Sequence, residues 1–489
     1  MKRTLVCSLF ALILLANFSW VDAQVSTTPN YAKVFPQNQL NKITISISKA
    51  DWDSIKIDMK EKFNTEFGKS SFPRMGPPNG ERPNQKDFPP MSQDGKRPEV
   101  FPPQRGGDGE MMPPPMGTSD EPRYVACAVE FEGKKWTNIG FRLKGNSSLM
   151  SSWGAGVYKM PFRLDFDKYE KSDLYGFHEL SMSPAFHDNT LIREKLASDI
   201  YRQAGIPTAQ TAFYEVYLDY GDGVQYAGVY TMVEVIDDTM ISTQFGNSTG
   251  NIYKPESTFQ RFREKEFEKK NFKKEKKFQD VQSFVRALND SSRLVSPAQW
   301  RSNLEKTFDM KHFIKWLAIN TAMTNWDTYG AMAHNFYLYN APNRGLVWIP
   351  WDNNEAISTN NKPNFPIPEG MPEPPKDFRM PNRGLALSLK DCPKQFVLIA
   401  YLAQDPTYYG SYLKEVETFR KNTWQATKLN KQVDGYVSLI KQAALREKAP
   451  YSHLTNEKSF EEGIQGLQKQ ILKRASEIDQ FLTEKSKSK

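Results

Sequence analysis

The order in which two hydrophobic periods follow one another limits this chain most. Alternating apolar residues, the mark of a half-buried strand, dominate the first half of the 489 residues. Ile43, Ile45 and Ile47 alternate. Tyr124–Phe131 and Trp136–Leu143 read as strands joined by a turn at Glu132-Gly133-Lys134, and Met160–Phe166 reads as a third. Phe213–Leu218 and Tyr226–Val235 follow, joined through Tyr220-Gly221-Asp222-Gly223, a strong turn signal. Helical spacing marks Ala50–Phe67 and Thr190–Ala204, the latter stopped by Gly205 and Pro207. From Gln279 onward helices dominate, notably Met310–Thr324, interrupted by a hairpin over Asn335–Tyr339 and Leu346–Pro350. Strands followed by helices indicate an α+β fold.

Two stretches interrupt this pattern. Residues 72–117 and 363–383 are rich in Pro and poor in apolar periodicity, and cannot bury enough surface to offset their ordering entropy. They read as disordered inserts. The chain begins Met1-Lys2-Arg3, continues with an apolar run to about Phe18, and reaches Val21-Asp22-Ala23. That is the layout of a Sec signal peptide, with cleavage expected after Ala23 and a periplasmic, cell-surface or extracellular destination. The apolar run is too short for a stable span, and no transmembrane segment is expected in the mature chain. The expected organisation is a signal peptide at 1–23, a strand and helix segment at 24–71, the insert at 72–117, a strand-rich lobe at 118–240 and a helical lobe at 241–489.

The cysteines Cys127 and Cys392 remain after the leader, and spacing alone does not say whether they bond. Two thiols and five His residues do not suggest structural zinc. The net charge of +8 serves solubility or the binding of acidic partners. Gln260–Phe278 carries nine Lys/Arg and four Glu, interrupted by Phe262, Phe267, Phe272 and Phe278. It reads as a solvated helix or mobile loop, or as a docking surface for an acidic substrate or polymer. An exported chain without a nucleic-acid fold signature gives no reason to expect nucleic acid.

The chemistry concentrates late in the chain. Asp327 follows a long buried-looking helix, Asn335 follows a short loop, and Asp352 follows the hairpin. Protein kinases use that order of parts: one Asp orients the acceptor hydroxyl, and an Asn and a second Asp hold Mg²⁺. The same residue types are also ordinary turn formers. Upstream, Arg142 and Lys144 flank the small turn Gly145-Asn146-Ser147-Ser148, suited to an anion or to a plain hairpin tip. Lys159 opens a strand and Glu194 lies on the next helix, a spacing compatible with a lysine–glutamate pair. Glu234 ends a strand where a kinase hinge would present backbone groups to adenine.

The blocks GFRLKGNSS, KMPFRLDF, TLIREKLASDIYRQAGIPT, YAGVYTMVEVID, NWDTYG, HNFYLYN and VWIPWDNNEA occur in the order found in the CotH (spore coat protein H) kinase-like family, which the chain resembles from about Val34 to its last helix. The resemblance implies an atypical, two-lobed, protein-kinase-like fold that uses ATP and Mg²⁺ (or Mn²⁺) to phosphorylate extracytoplasmic proteins, with acidic or Ser-rich acceptors among the options. It implies Asp327 as catalytic acid/base and Asp352 and Asn335 as metal ligands. Arg142, Lys144, Lys159, Glu234 and Trp351 would then be nucleotide contacts, Trp351 stacking on adenine. The chain departs from the pattern in two places. Eight positions separate Asp327 from Asn335, where a kinase catalytic loop has five, which calls for a bulged loop or for His334 in the key place. Asn354 stands where spore-coat members carry a second Asp, with Glu355 beside it. The alternative these departures leave open is a pseudokinase-like surface or envelope binding protein without turnover.

Overall fold

The computed structural model describes residues 28–69, 121–358 and 384–487. The segment 1–23, expected to be a leader, and both Pro-rich inserts, at 72–117 and 363–383, lie outside the described residues.

The fold is α+β. Seven strands close into a barrel: β1 (Asn41–Ile47), β2 (Val125–Phe131), β3 (Lys134–Leu143), β4 (Phe162–Asp165), β5 (Glu179–Ser183), β6 (Thr211–Asp219) and β7 (Gln225–Glu234). The alternation in β1 puts Ile43, Ile45 and Ile47 inside the barrel, because successive side chains on a strand take opposite faces. β1 closes the sheet by pairing antiparallel with β2 (Ile43 opposite Phe131) and parallel with β6 (Ile43 opposite Val216). The β2–β3 turn has positive φ at both Glu132 (49°) and Gly133 (73°), which matches the twist of a two-residue hairpin. β5 was not expected; its Leu180 and Met182 point inward between polar neighbours.

The barrel is half covered by helices. Lys49–Phe63 starts on Ser48, whose Oγ accepts the Asp51 N–H at 3.1 Å, and lays Trp52 against Tyr220 with ring centroids 4.2 Å apart. Arg193–Gln203 lies against β6.

A second sheet, order β11-β10-β8-β9, comprises β8 (Ile252–Pro255), β9 (Phe267–Lys269), β10 (Phe336–Ala341) and β11 (Gly345–Pro350). The expected hairpin is β10 and β11. It is pinned to the central helix Met310–Ala322 through an aromatic stack: Phe336 on Trp348 at 3.8 Å, and Trp348 on Trp316 at 4.5 Å between centroids. Helices Pro406–Asn422, Ala426–Ala444 and Glu457–Lys487 complete that half. The last one buries Phe460, Ile464, Leu467, Ile471, Ala475 and Ile478 along its length. No helix among the described residues is long and apolar enough to cross a membrane.

The basic segment Gln260–Phe278 departs from its expected solvated helix or mobile loop. It holds a single turn of helix and β9, and Phe267 and Phe278 are buried. Its phenylalanines supply apolar area that a purely charged run lacks. Cys127 sits in the barrel interior and Cys392 lies in the helical half; both are free thiols.

Candidate functional site

The aromatic stack under the hairpin holds three segments together: the turn after the central helix, the start of β10 and the end of β11. Asp327 comes from the turn. Its Oδ1 lies 2.8 Å from Nε2 of His334, and its Oδ2 accepts from Nδ2 of Asn335 at 3.0 Å. The same Nδ2 donates to the Asp327 carbonyl at 2.8 Å. Asn335 reaches back by adopting a left-handed φ of 61°. The loop therefore bulges, and both His334 and Asn335 touch Asp327 despite the long spacing. Burial opposes charge on His334, but the hydrogen bond and charge of Asp327 outweigh it and raise the imidazole above its ordinary range.

The end of β11 supplies the second acid. The Trp351 N–H donates to the Asn335 carbonyl at 3.2 Å, and Asp352 follows with a φ of 57°, a conformation that costs a non-glycine residue energy and recurs at functional sites. Facing Asp352 are Glu194, from the first turn of helix Arg193–Gln203, and Lys144, just past the end of β3. Burial and then the charge of Asp352 push the Glu194 carboxyl up to about 8, against the backbone amides of Asn353 and Asn354 and the ammonium of Lys144. Its Oε2 is buried without a hydrogen-bond partner. Withdrawal from water pushes Lys144 down to about 8, with Asp352 and Glu194 as its countercharges. The ammonium sits 5.7 Å from the centroid of the Trp351 ring. Glu355, whose carboxyl is raised by burial, accepts from the indole of Trp326 at 3.0 Å and braces the same loop.

Crowded carboxylates with one orphaned oxygen favour a cation. Among the described residues no three His, Cys, Asp or Glu side chains come together closely enough to cage a metal by themselves. Mg²⁺ does not need such a cage; one or two carboxylates suffice when phosphate and water complete the shell. The oxygen donors Asp352, Asn335 and Glu194 fit an ion that arrives with a nucleotide.

Three other sequence candidates lie elsewhere. Lys159 is a correction. It is fully buried, 2.6 Å from Glu447, which is equally buried, and it pairs neither with Glu194 nor with open space. Lys144 takes the place beside Glu194 instead. Glu234 is a second correction. Its side chain lies at the end of the barrel interior, where Oε1 accepts from the Tyr31 hydroxyl at 2.5 Å and Oε2 from the Gln210 N–H at 2.9 Å. Burial pushes this carboxyl up to about 7, and its backbone N–H is taken by the Gln210 carbonyl, so Glu234 is not a free hinge group. Arg142 is buried on the outer face of β3, beside Arg163 of β4, and donates to Glu121 at 2.8 Å.

The sequence reading missed Glu447 and the amides of Asn353 and Asn354. Backbone donors leave no residue-type signal, and Glu447 closes a helical region some 290 positions from its partner.

A family model described as CotH kinase protein matches residues 141–478. The chain is similar to the inner spore coat protein H of Bacillus subtilis (strain 168), 24% identical over 204 residues, covering 40% of this chain and 53% of that protein. It thus spans about half the length of that relative. Among solved structures it is similar to the Shewanella oneidensis MR-1 toxin–antitoxin HipA, HipB and operator DNA complex, with a TM-score of 0.32, 12% identity and coverage of 66% of this chain and 65% of that one. It is also similar to the Helicobacter pylori proinflammatory kinase CtkA, with a TM-score of 0.29, 11% identity and coverage of 67% of this chain and 95% of that one. With well over half of its length matched, the chain belongs to the CotH kinase protein family.

Proposed function

We propose that this chain is a secreted, two-lobed, kinase-like phosphotransferase that passes the γ-phosphate of ATP to Ser or Thr hydroxyls of extracytoplasmic proteins, with Mg²⁺ or Mn²⁺. The observation that carries the reading is the convergence of Asp327, His334 and Asn335 with Asp352, Glu194 and Lys144 around the end of one hairpin. Family membership and the leader-like residues 1–23 support it.

Phosphoryl transfer needs positioning and charge neutralisation more than covalent help from the protein. Asp327 orients the acceptor hydroxyl and takes its proton on a carboxylate oxygen, while His334 and Asn335 fix the carboxylate's direction. Asp352 and Asn335 would hold the metal, with Glu194 beside them. Lys144 contacts phosphate oxygens, held in place by Glu194 and Asp352. Trp351 is buried edge-on against Tyr337, so it backs the Lys144 ammonium and is not an open platform for the base. The bound metal ion supplies neutralisation of charge on the phosphates.

The competing reading is a binding protein without turnover. The observation in its favour is that both oxygens of Asp327 are already engaged. Calorimetric titration of the chain with ATP, with and without Mg²⁺, tests the binding half of the proposal. Mg²⁺-dependent binding that Asp352→Ala weakens is the expected result. Absence of binding under both conditions contradicts it.

A further inference from the structure

We propose that β9 and the cationic turn after it dock an acidic segment of the protein that the site phosphorylates; this rests on the kinase reading above. The segment Gln260–Phe278 carries nine basic and four acidic residues, and the structure holds it in place. Phe267 and Phe278 are buried, and Phe262 packs against both rings. Asn271 accepts from the Ile252 N–H at 2.8 Å and donates to Asp238 and to the Gly250 carbonyl at 3.0 Å each. The Lys269 ammonium closes the turn on the Glu275 carbonyl at 3.1 Å.

This anchoring fixes an unneutralised charge. Lys273, Lys274, Lys276 and Lys277 are exposed, and no acidic side chain pairs with them among the described residues. Holding four like charges on one short turn costs repulsion that an anionic partner relieves. Phe272 stands among them, 44% exposed and at a left-handed φ of 45°, an apolar contact inside a basic rim.

The position suits a substrate. β9 is an edge strand whose Phe267 N–H already bonds the Glu264 carbonyl, so an extended peptide can pair only with the remainder of its outer edge. β8 runs antiparallel to β10 with Ile252 opposite Tyr339, so Pro255 and its β9 partner Phe267 lie toward the start of β10, next to Asn335. Toward the other end, the Lys270 N–H donates to the carbonyl of Ile252, opposite Tyr339, at 2.8 Å. The three residues of β9 span about 10 Å. A peptide held by the lysine turn therefore runs along β9 toward Asp327, with its acidic part distal to the acceptor hydroxyl.

The test uses a fluorescent peptide of a Ser flanked by an Asp/Glu run, and its Asn/Gln counterpart. The full chain is compared with the variant Lys273→Glu, Lys274→Glu, Lys276→Glu, Lys277→Glu, and with the fourfold Lys→Gln variant as a milder step. The acidic peptide is expected to bind the native chain roughly tenfold or more tighter than the Glu variant at low salt, with Gln intermediate and the difference collapsing at high salt. The KM for the acidic peptide rises accordingly, kcat is unchanged, and the neutral peptide is indifferent. Equal affinity of native and Glu variant overturns the proposal, and so does binding of inorganic polyphosphate without binding of the peptide. Phosphate transfer with equal KM for both peptides overturns docking but leaves the kinase reading; salt-sensitive peptide binding without transfer does the reverse.

Discussion

Replacing Glu447 with Leu separates the two lysines that the sequence offered as phosphate contacts. Glu447 Oε1 takes both the Lys159 ammonium at 2.6 Å and the Val229 N–H at 2.8 Å, and Oε2 takes the Ser452 hydroxyl at 2.9 Å. Neither charged side chain has any solvent exposure. Removing one partner from such a pair costs about 3–5 kcal/mol. An independent ceiling agrees: the stranded ammonium can shed its proton, which at pH 7 costs about 5 kcal/mol from an ordinary lysine pKa. The double variant Lys159→Met, Glu447→Leu strands no charge. It leaves chiefly the Val229 N–H, at about 1–3 kcal/mol. Urea unfolding followed by tryptophan fluorescence should show the single variant less stable than the double, with a coupling energy of about 2 kcal/mol or more. Lys144→Met, in contrast, should stay within about 1 kcal/mol of the native chain but lose ATP affinity, since Lys144 keeps partial solvent exposure where Lys159 has none. A Glu447→Leu cost under about 1 kcal/mol, or a Lys159→Met variant of native stability that no longer binds nucleotide, refutes the reasoning and returns Lys159 to the site.

Three further outcomes are expected. Glu194 moves from an ordinary 4.5 to about 8 on folding, so the folded chain holds the extra proton between those values and stability falls as pH rises through that window; Glu194→Gln should flatten the slope in pH-dependent denaturation. Gly228→Ala should destabilise, because at φ 95° an added Cβ would lie 2.4 Å from Glu447 Oε1; thermal unfolding near the native value would contradict this. Asp352→Asn should abolish Mn²⁺ binding detected by electron paramagnetic resonance in the presence of ATP, while Asn354→Ala, whose role here is its backbone amide, should leave it intact.

The strands and helices were legible wherever local pattern sufficed. β1 announced itself through three alternating isoleucines, and the central helix through its apolar run. Barrel closure was not legible, because it rests on β1 pairing with β6 across some 170 residues, which no local period reports. β5 and β9 were hidden by their length of five and three residues. At the site, Asp327, Asn335 and Asp352 were read from the order of an acid, an amide and a second acid around a hairpin, and the structure brings Asn335 onto Asp327. The lysine was harder. Lys144 and Lys159 both lie near strand ends, and only tertiary packing decides that one faces Glu194 while the other meets Glu447.

Transfer of labelled γ-phosphate from ATP to a Ser-containing protein acceptor tests the central claim most directly. The account predicts Mg²⁺- or Mn²⁺-dependent label on the acceptor with the native chain, and none with Asp327→Asn or Asp352→Ala folded to native stability. Label that persists in both variants, or a native chain that binds ATP and metal yet transfers nothing to any hydroxyl acceptor, would contradict it.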